Sequence, residues 1–159
     1  WLASGKKYIR GIDGRKINIR SQHSILNALF QSGGVIGAKY TNIILSQKLE
    51  KMGYNIDCFK GRPDVAEMIS YHDEEALAVS DKIIKYRTFK TEEDGKEFIK
   101  NWNGSQLGEL NFVKQWYVAL PNPVSEAILE SIDEVGKILK LNVPLGIGWA
   151  VGKNWYQTH

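Results

Sequence analysis

Cysteine is almost absent from this sequence: Cys58 is the only one in 159 residues. That excludes an intrachain disulfide and any cysteine-based zinc site, and it fits a reducing compartment. Proline is scarce as well, with 4 residues, which argues against a disordered proline-rich chain. No apolar run is long enough to span a bilayer and no signal peptide opens the chain, so no membrane role is expected. There is no internal repeat, low-complexity tract or clear interdomain linker. The first residue is Trp1 rather than Met, which reads as a fragment or a processed product.

What remains is an ordinary globular composition, 43% hydrophobic and 25% charged, enough for one domain with a real core or for part of a larger one. Net charge is only +3, but it is unevenly spread. Lys6, Lys7, Arg10, Arg15, Lys16 and Arg20 stand against Asp13 alone in the first twenty residues, and the rest is slightly acidic. A basic edge of this kind suits a polyanion, or simply solvent.

Residues 6–20 alternate around Asp13-Gly14 and predict a β-hairpin. Ser21 caps an expected helix running to about Met52, where Gly53 supplies a stop. Residues 65–80 predict a second hairpin. Thr91 to Trp102 contains a short helix, residues 103–109 a loop, and Trp116 to Leu120 a strand. Asn122 and Pro123 open a last helix in which Ile128, Ile132, Val135 and Leu139 keep helical spacing. The apolar end, residues 142–159, reads as extended. The expected class is α+β, an antiparallel sheet with long helices packed on one face.

Two features in this layout ask for chemistry. On a helical wheel, His23, Asn27, Gln31, Gly34, Ala38 and Thr41 fall within about 40° of one line. Ile25, Leu29, Ile36, Tyr40 and Ile43 gather opposite, the side expected to lie on the sheet. Small residues admit something bulky, and amides both donate and accept, as a grip on the DNA minor groove requires. The same face would also serve for packing on another element. The second feature is His72-Asp73-Glu74-Glu75 at the bend of the second hairpin. Two carboxylates about 4 Å apart repel by about 4 kcal/mol at an effective dielectric near 20. A divalent cation turns that repulsion into coordination; a plain solvated turn is the alternative.

Three stretches, "DGRKINIRSQHSILNALFQSGG" (13–34), "YHDE" (71–74) and "GKNWYQTH" (152–159), together resemble family A DNA polymerases of the bacteriophage type. The resemblance covers about residues 8–80 and 117–159 and implies the C-terminal part of the palm domain over residues 1–159, with an insertion at 82–116. It implies that Asp73 is a catalytic metal ligand and Glu74 an auxiliary carboxylate, holding two Mg²⁺ ions that activate the primer hydroxyl and steady the pyrophosphate. By the same resemblance His72 contacts the primer terminus, Asn27, Gln31 and His23 lie along primer–template DNA, and His159 ends near the active site. Arg15, Lys16 and Arg20 are candidate phosphate contacts, or a solvated hairpin edge.

The expected partners are primer–template DNA, deoxynucleoside triphosphates and the remaining polymerase domains (upstream palm, fingers and thumb), in a host cell's cytoplasm. The second metal needs an aspartate from an Asp-x-Ser-x-x-Glu pattern that is absent here, as is the Lys-x₆-Tyr-Gly pattern of a fingers helix. The isolated chain is therefore expected to be inactive. Glu75 stands where relatives resume an apolar strand residue, and Tyr71 replaces a smaller apolar one. Trp102, Phe112 and Trp116 read as a small core of the insertion, against a base-stacking surface. A non-catalytic DNA-binding or assembly module that keeps the palm shape is the alternative function; a metal nuclease is a third.

Overall fold

The computed structural model describes residues 7–71 and 74–158. Its order is β1 (Tyr8–Arg10), β2 (Lys16–Asn18), α1 (Ile25–Lys51), β3 (Val65–Tyr71), β4 (Glu74–Val79), β5 (Tyr86–Phe89), α2 (Glu92–Lys100), β6 (Leu110–Phe112), β7 (Trp116–Ala119) and α3 (Pro123–Ile138). The α+β class holds, and every strand pairing is antiparallel. The strands do not share one sheet, however. They form β1-β2, β3-β4 and β5-β7-β6.

Local signals explain most boundaries. Gly14 takes φ +83° in the β1–β2 loop, and its N–H donates to the Gly11 carbonyl at 2.9 Å. A single turn of 3-10 helix, Gln22–Ser24, leads into α1, and the Ser24 hydroxyl donates to the Ser21 carbonyl at 2.8 Å. At 27 residues α1 is about 40 Å long. It ends as its sequence dictates: Gly53 has φ +85°, its N–H reaches Glu50 O, and the Tyr54 N–H reaches back to Leu49 O. That pair of bonds satisfies two carbonyls the helix would otherwise leave open. Thr91 and Asp94 cap α2 reciprocally, while the buried Asn122 side chain accepts from Val124 and Ser125 to start α3.

The main core lies where three elements converge. Leu45 and Leu49 of α1, Val65 of β3, and Val124 and Ala127 of α3 are buried together, flanked by Leu77 and Val79 of β4. Lys48 bridges α1 to α3, reaching Glu130 at 3.0 Å and Glu134 at 3.5 Å. Ile128 is half-buried and Ile132 and Val135 are buried, as the spacing predicts.

Residues 86–119 build a second layer system. Register places Arg87, Phe89, Leu110, Phe112, Trp116 and Val118 on one face of β5-β7-β6. There α2 covers them: Phe98 lies 5.3 Å from Phe89 and 5.4 Å from Trp102, with the Arg87 guanidinium 4.7 Å above its ring. Trp102, Phe112 and Trp116 thus belong to aromatic contacts within this region, Phe112 stacking at 5.2 Å on Trp116.

The other face, bearing Tyr117, Ala119 and Asn111, meets the end of the chain. Residues 141–154 are extended in spacing but form no strand. The carbonyls of Ile147, Trp149 and Val151 accept from the Gln106 amide (2.6 Å), the Glu109 N–H (2.7 Å) and the Tyr117 hydroxyl (2.6 Å). Two of the three donors are side chains, so the period of two survives without a backbone ladder. Gly108 makes the approach possible, since a Cβ there would sit 3.2 Å from the Trp149 ring.

Candidate functional site

The hairpin β3–β4 carries the acidic bend. Val65 pairs with Val79, Ala66 with Ala78 and Glu67 with Leu77; the register then shifts past Met68, and Ile69, Ser70 and Tyr71 pair with Ala76, Glu75 and Glu74. Tyr71 opposite Glu74 leaves two residues, 72 and 73, to close the turn. His72 and Asp73 themselves lie outside the described residues, as does His159.

The extra residue at Met68 sets which side chains face α1. Glu67, Leu77 and Glu75 share that face, with Ser70 opposite Glu75, whereas Glu74 belongs to the reverse one. Asn42 of α1 stands over it and donates to Glu67 Oε1 at 3.4 Å. Burial raises the Glu75 carboxyl above its ordinary range, a bond from Asn42 partly offsets this, and the nearby Glu67 charge adds to the rise. Glu75 Oε1 is buried with no hydrogen-bond partner among the described residues. Glu75 therefore is not a displaced strand hydrophobe; it fills a core-facing position with a carboxyl that resists ionisation.

The helix α1 presents its faces differently from the expectation. Ile36 is buried at 1% exposure, but Ile43, placed on the same apolar side, is 57% exposed. The buried Leu45 and Leu49 fall on the line of Asn27 and Gln31, 18 residues or about five turns further along. The cause is a change of neighbour: the C-terminal half of α1 rests on the hairpin and α3, and its core-facing line is the one that bears amides near the N-terminus.

That line and the hairpin run in company. From Leu49 and Leu45, packed with Val65, α1 passes through Asn42 beside Glu67 and Glu75 and on to Ala38, Gly34, Gln31 and Asn27. The hairpin, followed the same way, passes from Val65 through Glu67 to Glu75, with Asn42 the point where the two elements meet. His23, Asn27, Gln31 and Gly34 are exposed, and a Cβ on Gly33, Gly34 or Gly37 would meet nothing within 4 Å among the described residues. Leu26 and Phe30 beside them are 66% and 73% exposed.

Other candidates divide. Arg20 is exposed, whereas Arg15 is bonded to Asp13 at 2.5 Å and Lys16 lies 4.9 Å over the Tyr8 ring. Asn154 accepts from the Gln157 N–H at 3.2 Å, within the turn at Trp155–Gln157. Among the described residues no group of three His, Cys, Asp or Glu could hold a metal, and no helix is long and apolar enough to cross a membrane. Sequence reasoning missed the Glu67–Asn42–Glu75 cluster. Its one trace is Glu75 itself, a charge where strand alternation asks for an apolar side chain.

This is an α+β protein organised around an acidic hairpin and a long helix bearing amides and glycines. No family model matches the chain. Over 103 residues, 62% of the chain, it is 30% identical to the DNA-directed DNA polymerase of Enterobacteria phage T3 and, to the same extent, to that of Escherichia phage T7. The match spans 14% of each polymerase. The chain is thus related in part to phage DNA polymerases.

Proposed function

We propose that this chain is the C-terminal palm portion of a family A DNA polymerase and takes part in template-directed nucleotidyl transfer during DNA replication. The observation that supports the reading is the Asn42–Glu67 contact, which sets the β3–β4 hairpin against the helix bearing Asn27 and Gln31, in a chain partly matched by phage DNA polymerases. A duplex laid along Asn27 and Gln31 would present its end toward the β3–β4 turn. Exposed amides flanked by exposed glycine suit the minor groove, where acceptors recur at every base pair regardless of sequence.

The donor chemistry at the turn suits magnesium. Asp73 and Glu74 offer hard carboxylate oxygens, which Mg²⁺ takes together with water and substrate phosphate. Asp73 is the direct ligand in this reading and Glu74 the auxiliary carboxylate; a further aspartate comes from the remaining polymerase domains. When bound, two such ions supply Lewis-acid stabilisation of the attacking and leaving oxygens. The chain's own residues hold the surrounding parts. His72 abuts the primer terminus, His23, Asn27 and Gln31 hold the duplex, Arg20 meets phosphate, and His159 closes the site.

Asp73→Ala in the protein complete with its polymerase domains tests this. Primer extension is expected to fall at least about 10²-fold, the scale of losing one preorganised electrostatic stabiliser, while primer–template affinity largely survives. Synthesis and binding both unchanged would favour a non-catalytic module that has kept this shape.

A further inference from the structure

The sheet that the region read as an insertion, 82–116, completes with β7 has a task that its connectivity conceals. On one face of this sheet lies α2; on the other, Tyr86 and Thr88 are exposed while Ala119 and Tyr117 are covered. The other cover is the chain's own end, held along alternate carbonyls by Gln106, Glu109 and Tyr117, with the Asn111 amide bonding the Gln157 carbonyl further on. Ala119 beneath is 1% exposed. No donor in this series belongs to α1, α3 or the acidic hairpin. We propose that the β5-β7-β6 sheet is a mount for the C-terminal segment 147–157, and that Tyr117 is the positioning residue that fixes the segment's register.

Tyr117 is suited to this. It sits on the central strand, so its backbone is pinned from both sides. Burial raises its phenol further above neutrality, which keeps the proton it donates. Its hydroxyl meets Val151, the last carbonyl of the alternating set, beyond which the chain turns at Trp155–Gln157. Without that bond the segment retains apolar contact through Trp149 but loses its fixed reach. As far as catalysis is concerned, the proposal rests on the polymerase reading: the mounted segment leads to the chain end beside the site, so its register affects nucleotide use.

Two neighbouring amides report the mount separately from the sheet. The Glu109 N–H donates to Trp149 of the segment, while the Gly108 N–H donates to Ala119 of the sheet at 2.9 Å. In hydrogen exchange followed by NMR, Tyr117→Phe is expected to speed exchange at Glu109 about fivefold, the scale of one lost neutral hydrogen bond, and to leave Gly108 unchanged. Tyr86→Phe removes a hydroxyl from an exposed ring 6.1 Å away and is expected to change neither. No acceleration at Glu109, or equal acceleration at both amides, overturns the mount.

In the protein complete with its polymerase domains, Tyr117→Phe is expected to raise the nucleotide KM about threefold at constant primer–template Kd. An unchanged KM overturns the catalytic part of the proposal. Failure of the polymerase reading shows separately, as Asp73→Ala retaining synthesis, and leaves the amide-exchange result to decide the mount alone.

Discussion

At Glu75 the cost of burying a carboxyl beside a second one is visible in a single side chain. Its folded-state pKa lies above the unfolded one, so between those two values the folded protein holds more protons than the unfolded chain. Stability contributed by protonated Glu75 is full below the unfolded pKa, near 4.5, and is lost as pH rises through the folded one. Glu75→Gln keeps the shape and cannot ionise. It is expected to match the parent near pH 4 and exceed it at pH 7, read from denaturant midpoints with a chelator present. A midpoint lower at pH 7 would mean that the carboxylate makes a favourable contact the geometry does not contain. Arg20 calls for the opposite kind of test. It is exposed and, among the described residues, not committed to an ion pair as Arg15 is. On the polymerase reading Arg20→Ala should flatten the salt dependence of DNA binding by about one unit of slope, the mark of one lost phosphate contact.

Among the elements, α1 carries an unusual burden. Three glycines, Gly33, Gly34 and Gly37, lie inside a 27-residue helix with no neighbour among the described residues requiring their smallness, and each costs up to about 1 kcal/mol against alanine. Gly34→Ala is therefore expected to stabilise the fold by about 1 kcal/mol while weakening primer–template binding. Thermal unfolding and a binding titration check the two signs; stabilisation with unchanged binding would remove this face from the duplex. The ends of elements were legible from sequence because they rest on local chemistry: Asp13-Gly14 for the first hairpin, Gly53 for the α1 stop, Asn122-Pro123 for α3. The face of α1 was only half legible. Periodicity assigns one apolar side to a helix, but this helix changes neighbours midway, which leaves Ile43 in solvent and puts Leu45 in the core. The terminal segment misled differently, since its partners are the side chains of Gln106 and Tyr117, remote in sequence. At the acidic bend the hairpin was legible from alternation; the bulge at Met68 was not, because nothing in "VAEMISY" distinguishes an extra residue from a paired one.

Across the whole molecule, two assemblies stand out. One is the α1–α3–hairpin core, and the other the β5-β7-β6 sheet between α2 and the C-terminal segment. Sheet order adds a constraint on biosynthesis. β5 and β6 never bond to each other; both bond to β7, which leaves the ribosome last of the three. Until Trp116–Ala119 emerges, Phe89 and Phe112 have no central strand to join, and nascent chains stalled before that point expose two unpaired, aromatic-bearing edges. Messages cut within the codons for residues 113–115 should thus yield the stickiest products this sequence can make.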